Sequence, residues 1–142
     1  MSKIKEIMTS KPFCLSENAN VFKARMLMSE KSIRHIPIVN PESKELVGML
    51  SQKAVLSNAI KIINRRGLER LEHEEKSIGI ASIMDTDPAC FDVDESLIDV
   101  ANALLTEKSG CVVISENKKV TGVVTSNDFV KLALKELGPS TC

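Results

Sequence analysis

Residues 4–21, IKEIMTSKPFCLSENANV, align with residues 80–97, IASIMDTDPACFDVDESL, at a constant offset of 76. The register continues from HIPIV (35–39) to CVVIS (111–115). After a two-residue deletion it continues from LVGMLSQKAV (46–55) to VTGVVTSNDF (120–129). Self-similarity at a fixed spacing is the signature of repeated structural units. The chain is therefore predicted to contain one structural unit twice.

The sequence pattern of each copy predicts the element order β-α-β-β-α. A short strand at about 13–15 or 89–91 precedes a helix, and the candidate N-caps of these helices are Ser16 or Asn18 and Asp92 or Asp94. Two strands follow, at 36–39 and 46–50 in the first copy and at 111–115 and 119–124 in the second. A last helix closes each copy. Its predicted apolar stripes are Val55, Leu56, Ala59, Ile60 and Ile63, and Phe129, Val130, Ala133 and Leu137, with Gly138-Pro139 as the stop.

The predicted domain organisation follows the copies. The first copy spans 1–63, a charged and helical linker spans 64–78, the second copy spans 79–138, and a tail spans 139–142. Within the linker, Gly67 is a weak point for a helix. A unit of about 55–60 residues is near the lower limit for a self-sufficient core, so the two copies are expected to bury their faces together.

Composition argues against several classes of function. Trp and Tyr are absent and only four Phe occur, so the stacking platforms for single-stranded nucleic acid are missing. A nucleic-acid patch on Arg65 and Arg66 is disfavoured by the acidic residues that follow. The four cysteines show no C-x-x-C pair and the two histidines add no ligand spacing, which argues against a zinc site. With no apolar signal core and no run of membrane-spanning length, a cytoplasmic protein with reduced thiols is expected.

The repeated motifs together resemble a tandem pair of CBS domains, from about Ile4 to Leu137. The resemblance rests on IMTSKPFCL and IMDTDPACF, on IRHIPIVN and GCVVIS, and on GMLSQKAV and GVVTSNDF, in that order in each copy. It implies an α/β (α+β) fold of two β-α-β-β-α repeats packed about a pseudo-twofold axis. It also implies two clefts between the repeats, where many members bind adenine nucleotides or S-adenosylmethionine, and frequent assembly into disc-like dimers.

The stretch GVVTSNDF (122–129) admits two interpretations. Thr125 and Asp128 fit a capping box at the start of a helix. The same geometry offers backbone amides to a phosphate and a carboxylate to both hydroxyls of a ribose. The family resemblance favours the second role for Gly-h-h-[Ser/Thr]-x-x-Asp, where h is apolar. In the first copy, Ser51 matches this motif but Ala54 replaces the Asp.

The resemblance assigns one cleft as the ligand site. There the last junction of the second copy meets the leading segment of the first, and the expected binding residues are Thr125, Asp128, Asn127, Val123, Thr9, Lys11, Phe13 and Ile33. Lys11 suits a phosphate, whereas Asp85 and Asp87 in the opposite cleft repel one. The distribution of charge along the chain agrees with this assignment, since the net charge is +4 over residues 1–40 and −5 over residues 80–142. Cys111 occupies a position where many family members have a basic residue. The lack of that basic residue favours a ligand with few phosphates.

The expected function is a regulatory sensor that binds AMP, ADP, ATP or S-adenosylmethionine and signals by a conformational or dimer change. The alternative is a protein-interaction scaffold whose clefts stay empty. No nucleophile–base pair, metal cluster or glycine-rich phosphate loop has the required spacing, so no enzymatic activity and no required cofactor are expected. The expected partners are a nucleotide, a second copy of the chain and an unidentified regulated protein.

Overall fold

The computed structural model describes residues 3–107 and 110–138. In chain order its elements are α1 (Ile4–Ile7), β1 (Thr9–Ser10), β2 (Leu15–Ser16), α2 (Val21–Lys31), β3 (His35–Val39), β4 (Leu46–Ser51), α3 (Gln52–Arg66), α4 (Leu71–Lys76), β5 (Cys90–Asp92), α5 (Leu97–Thr106), β6 (Cys111–Glu116), β7 (Lys119–Thr125) and α6 (Ser126–Leu137). Single 3-10 turns lie at Leu68–Arg70 and Ile80–Ser82. The predicted order of strand, helix, two strands and helix is confirmed in both copies.

One compact unit comprises residues 13–88. Its sheet has the order β2-β3-β4, with β2 parallel to β3 and β3 antiparallel to β4. The run HIPIV is buried from Ile36 to Val39, as expected for a central strand. The helices α2 and α3 place their small and branched residues on this sheet. The buried core consists of Leu15, Val21, Ala24, Met28, Ile36, Ile38, Leu50, Val55 and Ile80.

The other compact unit comprises residues 3–12, 89–107 and 110–138 of the described chain. Its sheet has the order β1-β7-β6-β5, with β5 parallel to β6 and β7 antiparallel to both β6 and β1. The buried core consists of Ile4, Val93, Val100, Leu104, Val112, Ile114 and Val124. Each of the two units thus contains one sheet and the helices that pack on it.

The leading segment of each copy pairs with the last strand of the other copy. Thr9 is paired with Val123 in the β1–β7 ladder, and an isolated bridge joins Met49 to Asp85. The approach is close: a Cβ added at Gly48 would lie 2.6 Å from Met84 Sδ and 2.9 Å from the carbonyl oxygen of Asp85. Gly122 is equally crowded, by Met8 and by the carbonyl oxygen of Thr9 at 3.0 Å. The glycine of the repeated motif is therefore needed for this backbone contact.

The predicted N-caps of the first helix in each copy are wrong. Asn20 caps α2 by accepting from the backbone N–H of Lys23, and Ser96 caps α5 by accepting from that of Asp99. Two of the predicted residues instead stabilise earlier turns. Ser16 accepts from the N–H of Asn18, and Asp92 accepts from that of Asp94. Short polar side chains stabilise both kinds of turn, so residue type alone did not distinguish them.

Parts of the predicted apolar stripes are exposed. Leu56 and Ile60 of α3 are 49% and 59% exposed, and the buried positions are Val55, Ala59 and Ile62. Helix α6 has no buried residue. Cys90 of β5 is exposed as well. Helical spacing identified an apolar face without showing whether the face is covered.

The charged segment after α3 is less solvated than its composition indicates. Helix α3 ends at Arg66, and the residue that caps its C-terminus, Gly67, has a φ of +92° that suits glycine. Helix α4 then packs against α2 and α3. Its Glu75 is fully buried, and Arg25 of α2 binds it with both Nε and a terminal nitrogen at 2.7–2.9 Å. Within the described part of the chain, no helix is long and apolar enough to cross a bilayer.

Candidate functional site

The candidate site begins at the junction of β7 and α6. Thr125 ends the strand in an extended conformation, and its partner Asp128 lies in the first helical turn. Oδ2 of Asp128 accepts a hydrogen bond from the backbone N–H of Thr125 at 2.9 Å. The predicted capping box is thus present.

The cap uses only one oxygen of the carboxylate. Both hydrogen bonds to Asp128, from the Thr125 backbone and from its hydroxyl at 3.5 Å, end on Oδ2. Oδ1 accepts no hydrogen bond from the residues that the structure describes. Because the side chain is only half-buried, this oxygen remains available to an external hydroxyl. Helix capping and ligand binding are therefore compatible at Asp128.

Four further predicted site residues lie in the same unit. Thr9 is exposed on β1 beside the half-buried Val123 of β7. The backbone N–H of Lys11 donates to the carbonyl of Thr121 at 3.2 Å, and its φ is +49°. Lys11 and Asn127 are both exposed, the second in the first turn of α6. The strand pairing brings β1 beside β7, the strand that leads into the capped helix.

The other two predicted site residues, Phe13 and Ile33, belong to the unit of residues 13–88. Phe13 is 48% exposed, and Lys31 Nζ lies 5.3 Å from the centre of its ring. Ile33 is half-buried against the core of that unit. Their membership of the site with Thr125 and Asp128 stays a prediction.

Cys111 adds a buried thiol to the junction. It pairs with Thr125 across the β6–β7 ladder and is only 2% exposed. Burial raises the pKa of Cys111 to about 12, with smaller contributions from the negative charges of Asp128 and Glu107. The thiol therefore stays neutral beside Asp128. The antiparallel register of the two strands was the sequence signal that could have placed Cys111 here.

Two lysines near Asp128 were not identified from the sequence. A cavity of about 160 Å³ is lined by Glu6, Ile7, Asp128, Lys131, Leu132 and Lys135. Lys131 and Lys135 follow Asp128 at helical spacings, which would have placed them on its side of α6. This volume is below the roughly 300–1,000 Å³ of typical ligand sites, so the cavity alone encloses only part of a nucleoside.

The corresponding junction of the first copy has a cap and no carboxylate. Ser51 Oγ accepts from the backbone N–H of Ala54 at 3.1 Å. Asp85 is exposed on the adjoining segment, and its Oδ1 accepts from the N–H of Asp87 at 2.9 Å. The two junctions therefore share a backbone geometry and differ in chemistry. In residues 3–107 and 110–138, no group of three or more His, Cys, Asp or Glu side chains is arranged to hold a metal ion.

Sequence comparison finds related chains of very different lengths. YlbB of Bacillus subtilis is 26% identical over 129 residues, which cover 91% of this chain and 80% of that one. The A-adding tRNA nucleotidyltransferase of Aquifex aeolicus is 27% identical over 135 residues, but these are 95% of this chain and only 15% of the enzyme. MJ1404 of Methanocaldococcus jannaschii, 28% identical over 133 residues, is likewise matched over 92% of this chain and 31% of its own length.

Solved structures share the fold over nearly the whole chain. AcuB of Vibrio cholerae has a TM-score of 0.75 at 27% identity, with 96% of this chain and 93% of that one aligned. CBSX2 of Arabidopsis thaliana has a TM-score of 0.82 at 22% identity, covering 97% and 98%. The CBS domain pair of MJ0100, solved with 5′-methylthioadenosine and S-adenosylmethionine, has a TM-score of 0.74 at 23% identity, covering 94% and 100%.

The family model for the CBS domain matches twice, at residues 4–61 and 80–135. Each matched range contains one of the two capped strand–helix junctions. The chain belongs to the CBS domain family and carries two CBS domains.

Proposed function

We propose that this protein is a regulatory module that binds an adenosine-containing ligand at the β7–α6 junction. The observation that carries the proposal is Oδ1 of Asp128, which accepts from no described residue. The carboxylate is held at a helix N-terminus by the hydrogen bond that Oδ2 accepts from the backbone N–H of Thr125. A ribose offers two adjacent hydroxyl donors, and a carboxylate oxygen is their natural acceptor. The first turn of α6 adds a positive dipole end.

Relatives with known ligands support this class of ligand. CBSX2 has been solved with AMP, and the MJ0100 pair with 5′-methylthioadenosine and S-adenosylmethionine. All three ligands contain adenosine and differ in what is attached to the ribose. The proposal for this chain accordingly specifies the nucleoside and includes AMP, ADP, ATP and S-adenosylmethionine as candidates.

The uncharged side chain at position 111 favours a ligand with few phosphates. The neutral Cys111 thiol supplies no cation on β6. Lys11 is exposed, and Lys131 and Lys135 line the small cavity beside Asp128. In this proposal Lys11 binds a single phosphate, with Thr9 and Asn127 as further polar contacts and Val123, Phe13 and Ile33 as apolar ones.

A thermal-shift panel of AMP, ADP, ATP, S-adenosylmethionine, NAD and GTP tests the proposal. A ligand at 100 times its Kd adds about 2.7 kcal/mol to the free energy of unfolding, so binding raises the melting temperature visibly. We expect a shift with at least one adenosine compound in the wild type and none in Asp128→Ala.

Asp99→Ala is the matched control. Asp99 is the third residue of α5 after its cap Ser96, as Asp128 is of α6 after Thr125, so both variants lose a first-turn carboxylate. The control should respond to ligand as the wild type does. Equal shifts in wild type and Asp128→Ala, or no shift with any compound, would argue against the adenosine site.

The second candidate function is a scaffold whose clefts stay empty. It is favoured by the complete capping box, which explains Thr125 and Asp128 without a ligand, and by the missing carboxylate at Ala54. A scaffold requires no differential affinity for a small molecule, whereas a sensor does. The same thermal panel separates them.

We also propose that the protein assembles with a second copy of itself. On α3, Leu56 and Ile60 are 49% and 59% exposed, and on α6, Val130, Leu134 and Leu137 are 55%, 65% and 81% exposed. The two helices occupy the same place in their copies, and each leaves apolar side chains uncovered. Exposed apolar patches commonly mark protein interfaces. The family resemblance supports a dimer as its occupant.

A further inference from the structure

We infer that the groove between α3 and α4 is a second ligand site, for a small phosphate-bearing anion. It lies wholly within the unit of residues 13–88 and is separate from the β7–α6 junction. The cavity has a volume of about 420 Å³, within the range of small-molecule sites. It is lined by Asn58, Lys61, Ile62, Arg65, Arg66, Glu74 and Ile78.

The floor of the cavity is apolar and its rim is cationic. Ile62 is buried beneath it, while Lys61, Arg65 and Arg66 are exposed around it. The polar lining residues of α3 recur at helical spacing after Asn58, so they project from one side of the helix. Three cations therefore converge on a cavity large enough for a phosphate and a small organic group.

The charges of these cations are not paired within the part of the chain that the structure describes. Among the described residues, neither Lys61 nor Arg65 nor Arg66 forms an ion pair. The carboxylate in the lining, Glu74, lies 3.4 Å from a terminal nitrogen of Arg70 and is paired with it. Since its charge is already engaged, the lining has a net positive charge that favours an anion. Arginine suits phosphate oxygens because its planar nitrogens can donate in pairs.

Asn58 supplies an independent indication of a ligand. Its Nδ2 is buried and donates to no acceptor in the described part of the chain. A buried donor without an acceptor costs free energy, so such groups are rare in native proteins unless something outside the chain completes them. A turn of the Asn58 side chain towards the cavity would let a phosphate oxygen accept from Nδ2 while the three cations neutralise its charge.

The test is isothermal titration calorimetry of the full chain at low ionic strength with three probes: inorganic phosphate, pyrophosphate and ribose 5-phosphate. We expect saturable binding of at least one probe, weaker at higher NaCl concentration because the attraction is screened. Tighter binding of ribose 5-phosphate would identify the phosphate as part of an organic ligand, and tighter binding of pyrophosphate would identify an inorganic one.

Two variants locate the site. Lys61→Ala/Arg65→Ala should weaken binding about 10-fold or more, since it removes two charged donors. Both side chains are exposed, so the variant should fold. Asn58→Leu should weaken binding about 10-fold while leaving the melting temperature unchanged or higher, because the unsatisfied amide is gone.

A control separates this site from surface charge, and the cavity variants separate it from the adenosine site. Lys23→Ala/Lys119→Ala removes the same charge from exposed positions outside the cavity and should bind the probes as the wild type does. Absence of binding by all three probes, or wild-type affinity in Lys61→Ala/Arg65→Ala or in Asn58→Leu, would overturn the proposal.

Discussion

At the scale of single residues, Asp128 performs a structural task and keeps a functional group available. Its Oδ2 caps α6 through Thr125, and its Oδ1 accepts from no described residue. The equivalent position in the first copy is Ala54, where Ser51 alone caps the helix. The carboxylate is therefore not required for this junction to fold, because the first copy forms the same junction without one.

Asp128→Glu separates capping from ligand binding. Glutamate at the third helical position also completes a capping box, so the free energy of unfolding should change by less than about 0.5 kcal/mol. Its carboxylate is displaced by one methylene, and affinity for the adenosine ligand should fall about 10-fold or more. Urea unfolding and ligand titration measure the two effects.

Asp128→Ala should lose both the helix cap and the affinity for the ligand. Loss of the cap should lower the free energy of unfolding by about 1 kcal/mol. If Asp128→Glu retained the wild-type affinity, the geometry assigned to the carboxylate would be wrong. A loss of several kcal/mol in Asp128→Ala would indicate that capping is the main role of this residue.

Cys111 predicts an alkaline loss of stability. Its folded-state pKa of about 12 lies above its ordinary value of 9.0, because burial disfavours the thiolate. Above pH 9 the unfolded chain releases this proton and the folded chain keeps it, so the unfolded state is favoured as pH rises towards 12. The free energy of unfolding should fall by about 1.4 kcal/mol per pH unit relative to Cys111→Val.

Denaturant unfolding at intervals between pH 8 and pH 12, under reducing conditions, measures this difference. Cys90 is exposed, so Cys90→Ser should follow the wild-type curve and serves as the control. Parallel curves for wild type and Cys111→Val would contradict the assignment.

At the scale of elements, α4 is anchored by a buried ion pair. Glu75 is fully buried and Arg25 is 28% exposed, and the two are joined by bonds of 2.7–2.9 Å. The ring of Phe22 lies 5.7 Å from the guanidinium of Arg25 and 4.9 Å from Lys76 Nζ. A segment rich in Glu, Arg and Lys is thus held against α2 by one geometrically specific contact and by cation–π contacts around it.

Removal of one partner should be strongly destabilising. Arg25→Ala leaves the Glu75 carboxylate buried without its counter-ion, and we expect a loss of about 3 kcal/mol in the free energy of unfolding. Arg25→Met/Glu75→Leu removes both charges and should recover most of this loss. The midpoint of urea denaturation reports both effects.

Glu72→Ala provides the comparison. Glu72 and Lys76 form an exposed pair at 3.6 Å on the same helix, with side chains 62% and 54% exposed, so its loss should cost less than about 1 kcal/mol. An Arg25→Ala variant as stable as Glu72→Ala would show that the buried pair does not anchor the helix.

At the scale of the whole molecule, the two copies exchange their leading segments. Strand β1 pairs with β7, and Met49 pairs with Asp85, so each sheet is completed by backbone from the other copy. The boundaries between the compact units therefore lie at residues 12/13 and 88/89, inside the two copies that the sequence repeat defines. Each copy supplies part of the other unit, and separate expression of residues 1–63 would leave β1 without β7.

The exposed apolar side chains of α3 and α6 predict self-association. Sedimentation analysis of the wild type should give the mass of a dimer, and Leu56→Glu or Leu134→Glu should shift the protein to monomer, because a charge in an apolar interface is unpaired. Leu105→Glu on α5, where the side chain is 85% exposed, should leave the dimer intact. A monomeric wild type, or dissociation only in Leu105→Glu, would contradict the proposed interface.

Much of the architecture was readable from the chain. The repeat, the element order and the four central strands follow from hydrophobic spacing, because a period of two or of 3.6 residues determines which side chains share a face. The capping box at Thr125 and Asp128 was also predictable, since it depends on residues three apart. Its missing counterpart at Ala54 was visible for the same reason. The location expected for the protein, the cytoplasm, stays a prediction.

Other features depend on contacts between segments distant in sequence. The burial of Glu75 requires Arg25, fifty residues earlier, and the charged composition of the linker did not reveal it. The exposure of Leu56 and Ile60 and the choice of Asn20 and Ser96 as caps depend on which surfaces the fold covers and where each helix begins. The unused Oδ1 of Asp128 and the unpaired amide of Asn58 were likewise revealed only in three dimensions, because hydrogen-bond satisfaction depends on the positions of all neighbouring atoms.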